Sequence, residues 1–353
     1  MYWLKLDGHF LIYKEDEQVV RKAVILAARE NTSVGQVYNG SVMEKLSPYV
    51  DIYQEWVHSG NMKQHAEQIR EAEIAFSTWG IPEFTEEDIK TYLPNLKVLF
   101  YGAGSVQRFA RTFISQGVTV VSSWAANAVP VAEFTASQIV LANKGFYRSL
   151  FRYKQDNREA LSVARMYPGN FGARVGILGA GMIGKKVVRL LKAYELSIDV
   201  FDPFLPDAAA AELGVRKTGL LDIFTNCDTI SNHLANLPAT EGMLNKEHFD
   251  RMQPHATFIN TGRGAQVVEA DLIRALKEVP TRTAVLDVTF PEPVRPDSDF
   301  LNMDNVFLTP HIAGSMNREI ARMGHYMAEE CERYCNCKPL QYEVTLPMLE
   351  TMA

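Results

Sequence analysis

The chain has 353 residues, 47% of them hydrophobic and 22% charged, with a net charge of −6. That is the balance of a globular protein with room for two domains of ordinary size. No basic cluster offers a surface to nucleic acid or an anionic membrane, and no apolar run reaches membrane-spanning length.

Residues 1–7 (MYWLKLD) lack the charged region and long apolar core of a secretory signal. With only four cysteines there is no disulfide framework, so a reducing cytoplasm is the expected compartment. Residues 1–60 are the hardest to read; they have room for an extra strand pair or for an insertion, and 17–30 carries a helical pattern. Strands are predicted at 74–77, 98–101 and 118–122, with helices at 85–92, 106–116 and 131–143. Residues 171–174 mark the start of a second alternating stretch. Strands are expected there at 175–178, 198–201, near Val215, and at 229–234, 256–260, 283–288 and 306–309. Helices are expected at 182–194, 220–226, 246–252 and 268–278. A long helical pattern, 317–335, leaves this stretch and is expected to return to the first domain. Cys331, Cys335 and Cys337 lie on or just after it at spacings that do not fit a zinc site, so no metal is expected.

The alternation predicts two Rossmann-like or flavodoxin-like α/β domains with parallel sheets and a cleft between them. The expected division is a discontinuous substrate domain, 1–145 plus 315–353, with a nucleotide-binding domain, 146–314, inserted into it.

The glycine turn Gly179-Ala180-Gly181-Met182-Ile183-Gly184 stands between a strand and a helix, and the next strand ends in Asp202-Pro203. Strand, turn, helix, strand and acid form the layout of a dinucleotide-binding unit. Gly179 permits the sharp turn, Gly181 lets the backbone approach a pyrophosphate, and Gly184 lets helix and strand pack closely. The helix N-terminus offers free N–H groups to phosphate. Asp202 accepts from a ribose 2′-OH and repels a 2′-phosphate, which selects NAD over NADP. The bland reading is a glycine turn that binds no nucleotide. The residues of chemical interest all fall just after predicted strand ends: Asp202, His233, Arg263, Asp287 and His311.

Three further motifs, Asn260-Thr261-Gly262-Arg263-Gly264, Asp287 to Pro293, and Thr309-Pro310-His311-Ile312-Ala313-Gly314, follow in order. With the glycine turn, and with Tyr101-Gly102-Ala103-Gly104 upstream, they resemble the D-isomer-specific 2-hydroxyacid dehydrogenase family from about Thr78 to Gly314. The resemblance implies an NAD-dependent oxidoreductase that interconverts a D-2-hydroxy acid and a 2-keto acid. Arg263 then grips the carboxylate through its planar fork. His311 moves the hydroxyl proton, and Glu292 fixes the imidazole tautomer. N–H groups of Gly102 and Ala103 are expected to share the carboxylate, with Tyr101 shaping the pocket. Asp287 is expected at the nicotinamide or its ribose, and His233, Leu234 and Thr261 along the cofactor. A homodimer formed through the nucleotide domain is also implied.

Each residue has a plainer reading: Arg263 as a surface arginine, His311 as a strand-end histidine, Glu292 as a solvated loop carboxylate, Asp287 as a turn cap. Two rivals for the whole chain stand beside the first reading. One is a formate or phosphite dehydrogenase relative, against which Glu292 counts because the formate branch is expected to pair its histidine with an amide. The other is an NAD-binding corepressor or scaffold of the same fold.

Overall fold

The computed structural model describes residues 2–6, 9–13, 19–28 and 31–351. The chain divides into two compact units, Met1–Trp124 with Ile320–Leu346 and Ala125–Glu319 with Pro347–Ala353.

The first unit is built on a six-stranded sheet. Its strands lie in the order Glu343–Val344, Thr119–Ser122, Val98–Tyr101, Ile74–Ser77, Arg21–Ile25 and Val50–Ile52, all parallel except the first. The strands Ile74–Ser77 and Val98–Tyr101 are buried along their whole length. A parallel sheet covered on both faces demands such unbroken apolar runs. The same demand overturns the helix expected at 17–30. The run Ala23–Leu26 is buried and Arg21–Ile25 pairs with both Val50–Ile52 and Ile74–Ser77. Residues 17, 18, 29 and 30 lie outside the described set. Tyr2–Leu6 and His9–Tyr13 form an antiparallel pair. The helix Ile320–Cys335 packs on this unit: a Cβ on Gly324 would fall 1.9 Å from the Val37 carbonyl oxygen, so the helix touches backbone there.

The second unit carries seven parallel strands in the order Arg216–Lys217, Ser197–Phe201, Arg174–Leu178, Thr229–Asn232, Thr257–Asn260, Thr283–Leu286 and Val306–Leu308. Strand order reverses between Arg174–Leu178 and Thr229–Asn232. Loops that leave the carboxyl ends of these two strands diverge and open a crevice, which is where doubly wound sheets bind ligands. One face packs around Phe224, Phe249 and Phe258, and the other around Val187, Val188 and Leu191. Two helices that the sequence pattern leaves unassigned, Phe146–Tyr153 and Asn157–Ala164, pack on each other beside this sheet. No helix among the described residues is long and apolar enough to cross a membrane.

Candidate active site

The glycine turn sits at the point of strand reversal. Gly179 has φ +91°, and a Cβ there would fall 2.7 Å from the His233 carbonyl oxygen. A Cβ on Gly184 would fall 2.0 Å from the Gly179 carbonyl oxygen, so the turn and its helix meet backbone to backbone. Gly181 is the N-cap of the helix Met182–Leu191, and a Cβ there would meet nothing within 4 Å. Open space therefore lies beside the unsatisfied N–H groups of the first helical turn, where a pyrophosphate fits. Met182 is half-exposed there and Ile183 half-buried.

Asp202 lies beside this turn although it is 22 residues away in sequence. Its Oδ2 accepts from the Ala180 N–H at 2.7 Å and its Oδ1 from the Phe204 N–H at 2.8 Å. Pro203 and Phe204 are exposed and add no positive charge. A carboxylate acceptor beside the helix N-terminus, with exposed uncharged residues after it, is compatible with a dinucleotide whose ribose donates from a free 2′-OH.

The side chains of His233 and Thr261, two residues expected along the cofactor, are both turned into the interior. The His233 ring is 9% exposed, its Nε2 bonds Ser231 Oγ at 2.9 Å, and burial pulls its pKa down to about 3. It is a neutral core imidazole whose carbonyl, not its ring, faces the glycine turn. Thr261 Oγ1 bonds Thr135 Oγ1 at 2.9 Å in the interior. Leu234 has its N–H tied to Asn232 Oδ1 at 3.2 Å.

Arg263, Glu292 and His311 follow the carboxyl ends of three adjacent parallel strands, Thr257–Asn260, Thr283–Leu286 and Val306–Leu308. His311 Nδ1 pairs with Glu292 Oε1 at 2.5 Å. A carboxylate accepts, so the ring proton sits on Nδ1 and Nε2 is the nitrogen left for exchange with a substrate. Burial pulls the Arg263 guanidinium down while the charge of Glu292 pushes it up, which puts the two within electrostatic reach. A guanidinium remains charged under any such shift. Arg263 Nη1 donates to its neighbour, the Gly262 carbonyl, at 2.7 Å.

The three loops are fixed to one another. A Cβ on Gly264 would fall 2.1 Å from the Thr289 carbonyl, so the arginine loop and the Glu292 loop touch through bare backbone. Glu269 Oε1 accepts from the Phe290 N–H at 2.8 Å and secures the Glu292 loop a second time. Asp287 is 3% exposed, and its carboxylate accepts from Thr309 Oγ1, the Ile312 N–H and the Ala313 N–H at 2.6, 2.8 and 2.9 Å. Asp287, which the resemblance implies at the nicotinamide or its ribose, thus also holds the loop of His311, whose own N–H donates to the Asp287 carbonyl at 3.0 Å. That loop gives His311 a φ of +54°, an unfavourable conformation for a side chain with a Cβ.

Sequence reasoning missed Glu269, Asn232 and Gln266, and it took Gly264 only as part of the Arg263 motif, with no contact of its own. Asn232 and Asn260 each end a fully buried strand, and that placement is the one signal that marks the polar network among them.

In the first unit, Tyr101 is 5% exposed, packs edge-on to Phe109 with ring centroids 4.7 Å apart, and has its pKa pushed up to about 12 by burial. The N–H groups of Gly102 and Ala103 donate to Ser77 O at 2.7 Å and Tyr101 O at 2.9 Å. The Gly102 N–H thus extends the pairing with the strand Ile74–Ser77, and the Ala103 N–H closes a tight turn, so both donors have partners within the first unit.

Residues 141–313 match the family model described as D-isomer specific 2-hydroxyacid dehydrogenase, NAD binding domain. Among similar proteins are the D-3-phosphoglycerate dehydrogenases of Archaeoglobus fulgidus and Mycobacterium bovis. The first is 28% identical over 260 residues, spanning 72% of this chain and 48% of that protein. The second is 30% identical over 249 residues, spanning 69% and 46%. The chain thus spans about half the length of these relatives. Among solved structures, the apo form of Rhodotorula graminis D-mandelate dehydrogenase superposes with a TM-score of 0.77 at 18% identity, covering 92% of this chain and 97% of that one. A phosphoglycerate oxidoreductase from Rhizobium etli gives 0.76 at 21% identity, covering 92% and 98%. At such identities the structures speak to the fold alone.

Proposed function

The chain belongs to the D-isomer-specific 2-hydroxyacid dehydrogenase family, and on that premise we propose that it interconverts a D-2-hydroxy acid and its 2-keto acid by NAD(H)-dependent hydride transfer. The observation that carries this reading is the 2.5 Å Glu292–His311 pair, set one strand away from Arg263 in the unit that bears the glycine turn.

Bound NAD supplies the hydride acceptor for oxidation, and its reduced form the donor for reduction. Arg263 presents two parallel N–H groups to the substrate carboxylate and fixes the reacting carbon relative to the crevice. His311 takes the hydroxyl proton on Nε2 during oxidation and returns it to the keto oxygen during reduction. Glu292 keeps a proton on Nδ1, which orients the ring and leaves Nε2 as the exchanging nitrogen. Asp202 selects the cofactor by accepting from the ribose and opposing a 2′-phosphate. The protein is further proposed to act as a homodimer in the cytoplasm. The dimer is supported by the half-exposed Phe146, Leu150, Tyr153 and Leu161, which line an apolar groove of about 580 Å³ on the second unit.

The test is to incubate purified protein with NADH and, in parallel, NADPH, against small, aromatic and phosphorylated 2-keto acids, following loss of reduced nicotinamide absorbance. NADH-dependent turnover of one such acid supports the proposal. Tight NADH binding with no turnover of any acid favours the scaffold reading instead.

A further inference from the structure

Gln266 is fully buried and every polar position of its side chain is engaged. Its Oε1 accepts from the Arg263 backbone N–H at 3.3 Å and from Asn232 Nδ2 at 2.6 Å. Its Nε2 donates to the carbonyls of Leu234 and Ala235 at 2.8 and 2.9 Å. One amide therefore spans two loops, that of Arg263 and that which follows the strand Thr229–Asn232. The second loop begins at His233, whose carbonyl packs on Gly179 of the glycine turn.

Two asparagines extend the link. Asn232 Nδ2 also donates to Asn260 Oδ1 at 3.0 Å, and Asn232 Oδ1 accepts from the Leu234 N–H. Asn260 Oδ1 accepts from the Gly262 N–H at 3.0 Å, and its Nδ2 donates to the Arg263 carbonyl at 3.1 Å. The backbone of Arg263 is thereby held on both sides, its N–H by Gln266 and its carbonyl by Asn260. A buried network in which every member is satisfied is rigid, and removing one member leaves the others unpaired in a low-dielectric interior. Only a side-chain amide of this length offers two donors to one loop and an acceptor to the other; glutamate lacks the donors and methionine lacks both.

We propose that Gln266 is a positioning residue that locks the arginine loop to the 234–235 segment beside the glycine turn, so that the substrate-carboxylate site and the cofactor site are held in one fixed relation. This rests on the functional reading above and adds to it the element that couples the two sites. It predicts that a single buried substitution, in contact with neither ligand, disturbs both.

The experiment compares wild type with Gln266→Met, and with Gln266→Asn, which keeps a buried amide one methylene short, should the first variant fold poorly. Three quantities are read: the NADH dissociation constant by fluorescence titration, KM and kcat for the keto acid turned over, and amide hydrogen exchange at 234–235 and 263–264. The expected result is a weaker NADH affinity and a higher keto-acid KM, each by about tenfold, in line with the cost of small misplacements in a site. Exchange should rise in both segments together. In an Arg263→Ala background the same substitution should leave the keto-acid KM unmoved while still weakening NADH. A merely structural role would lower the folded fraction and kcat and leave KM and the dissociation constant as they were; that result overturns the proposal, as does faster exchange in one segment alone. If wild type turns over no keto acid, the dehydrogenase reading fails, and the exchange measurement still decides whether Gln266 couples the two loops.

Discussion

His311 and His233 show how one residue type takes opposite roles through its surroundings. The His311 ring is half-exposed and paired with a carboxylate, which fixes a tautomer and leaves one nitrogen for proton exchange. Replacing His311 with alanine should lower kcat by roughly two to four orders of magnitude while NADH affinity stays within about twofold. Steady-state kinetics and NADH fluorescence titration check this, and equal loss of both would deny His311 its assigned role. His233 is a neutral core ring, and its effect is on stability. Its folded pKa of about 3 lies below the 6.5 of an unperturbed histidine, so the unfolded chain takes up a proton that the folded chain refuses. The stabilisation is complete above the unfolded pKa and is lost as pH falls from about 6.5 toward about 3. Between about pH 7.5 and pH 5.5, His233→Asn should lose about 1.4 kcal/mol less stability than wild type, measured by urea unfolding at each pH. An identical loss in both proteins would place the titrating group elsewhere. Both histidines were legible as candidates because each follows a strand end. Their difference was not, since it depends on Ser231 and a buried shell in one case and on a carboxylate from another loop in the other.

At the scale of elements, glycines and strand ends do most of the positioning. Gly179 and Gly184 were readable because the demand on them is local: a left-handed turn and a helix packed on its own turn. Gly264 was not, because the backbone it touches at Thr289 is distant in sequence and meets it only when two parallel strands align. Gly264→Ala should force the arginine loop off the Glu292 loop. A rise in keto-acid KM and a fall in kcat of about tenfold or more are expected, with NADH affinity less affected. Unchanged kinetics in a folded variant would mean that these loops need not touch. The segment 17–30 was misread for a related reason. Its apolar run lacks the period-two alternation that marks a half-buried strand, and Arg21–Ile25 is a strand because neighbours on both sides complete its hydrogen bonds. The polar network around Gln266 was equally hidden, since its contacts reach Leu234, Ala235 and Asn232 at sequence separations of 32, 31 and 34.

At the scale of the molecule, both units are doubly wound sheets, and the chain passes from the first to the second and back. The alternation of apolar runs was enough to read this class of fold. The helices Phe146–Tyr153 and Asn157–Ala164 escaped because each is only eight residues long, about two turns, too short for a helical period to stand out in the sequence. Exposed Phe146, Leu150, Tyr153 and Leu161 lie on them. If that face joins two copies, Leu150→Glu with Leu161→Glu should shift the protein from dimer to monomer in light scattering; a dimer unaffected by both charges would place the interface elsewhere. The central claim is that Arg263, Glu292 and His311 carry out stereospecific reduction beside one bound cofactor. Its most direct test is to supply NADH deuterated at the transferring position with the keto acid that is turned over, and to analyse the product by chiral chromatography and mass spectrometry. The account predicts a D-2-hydroxy acid carrying the deuterium on its hydroxyl-bearing carbon, whereas an L product, or a product without label, would contradict it.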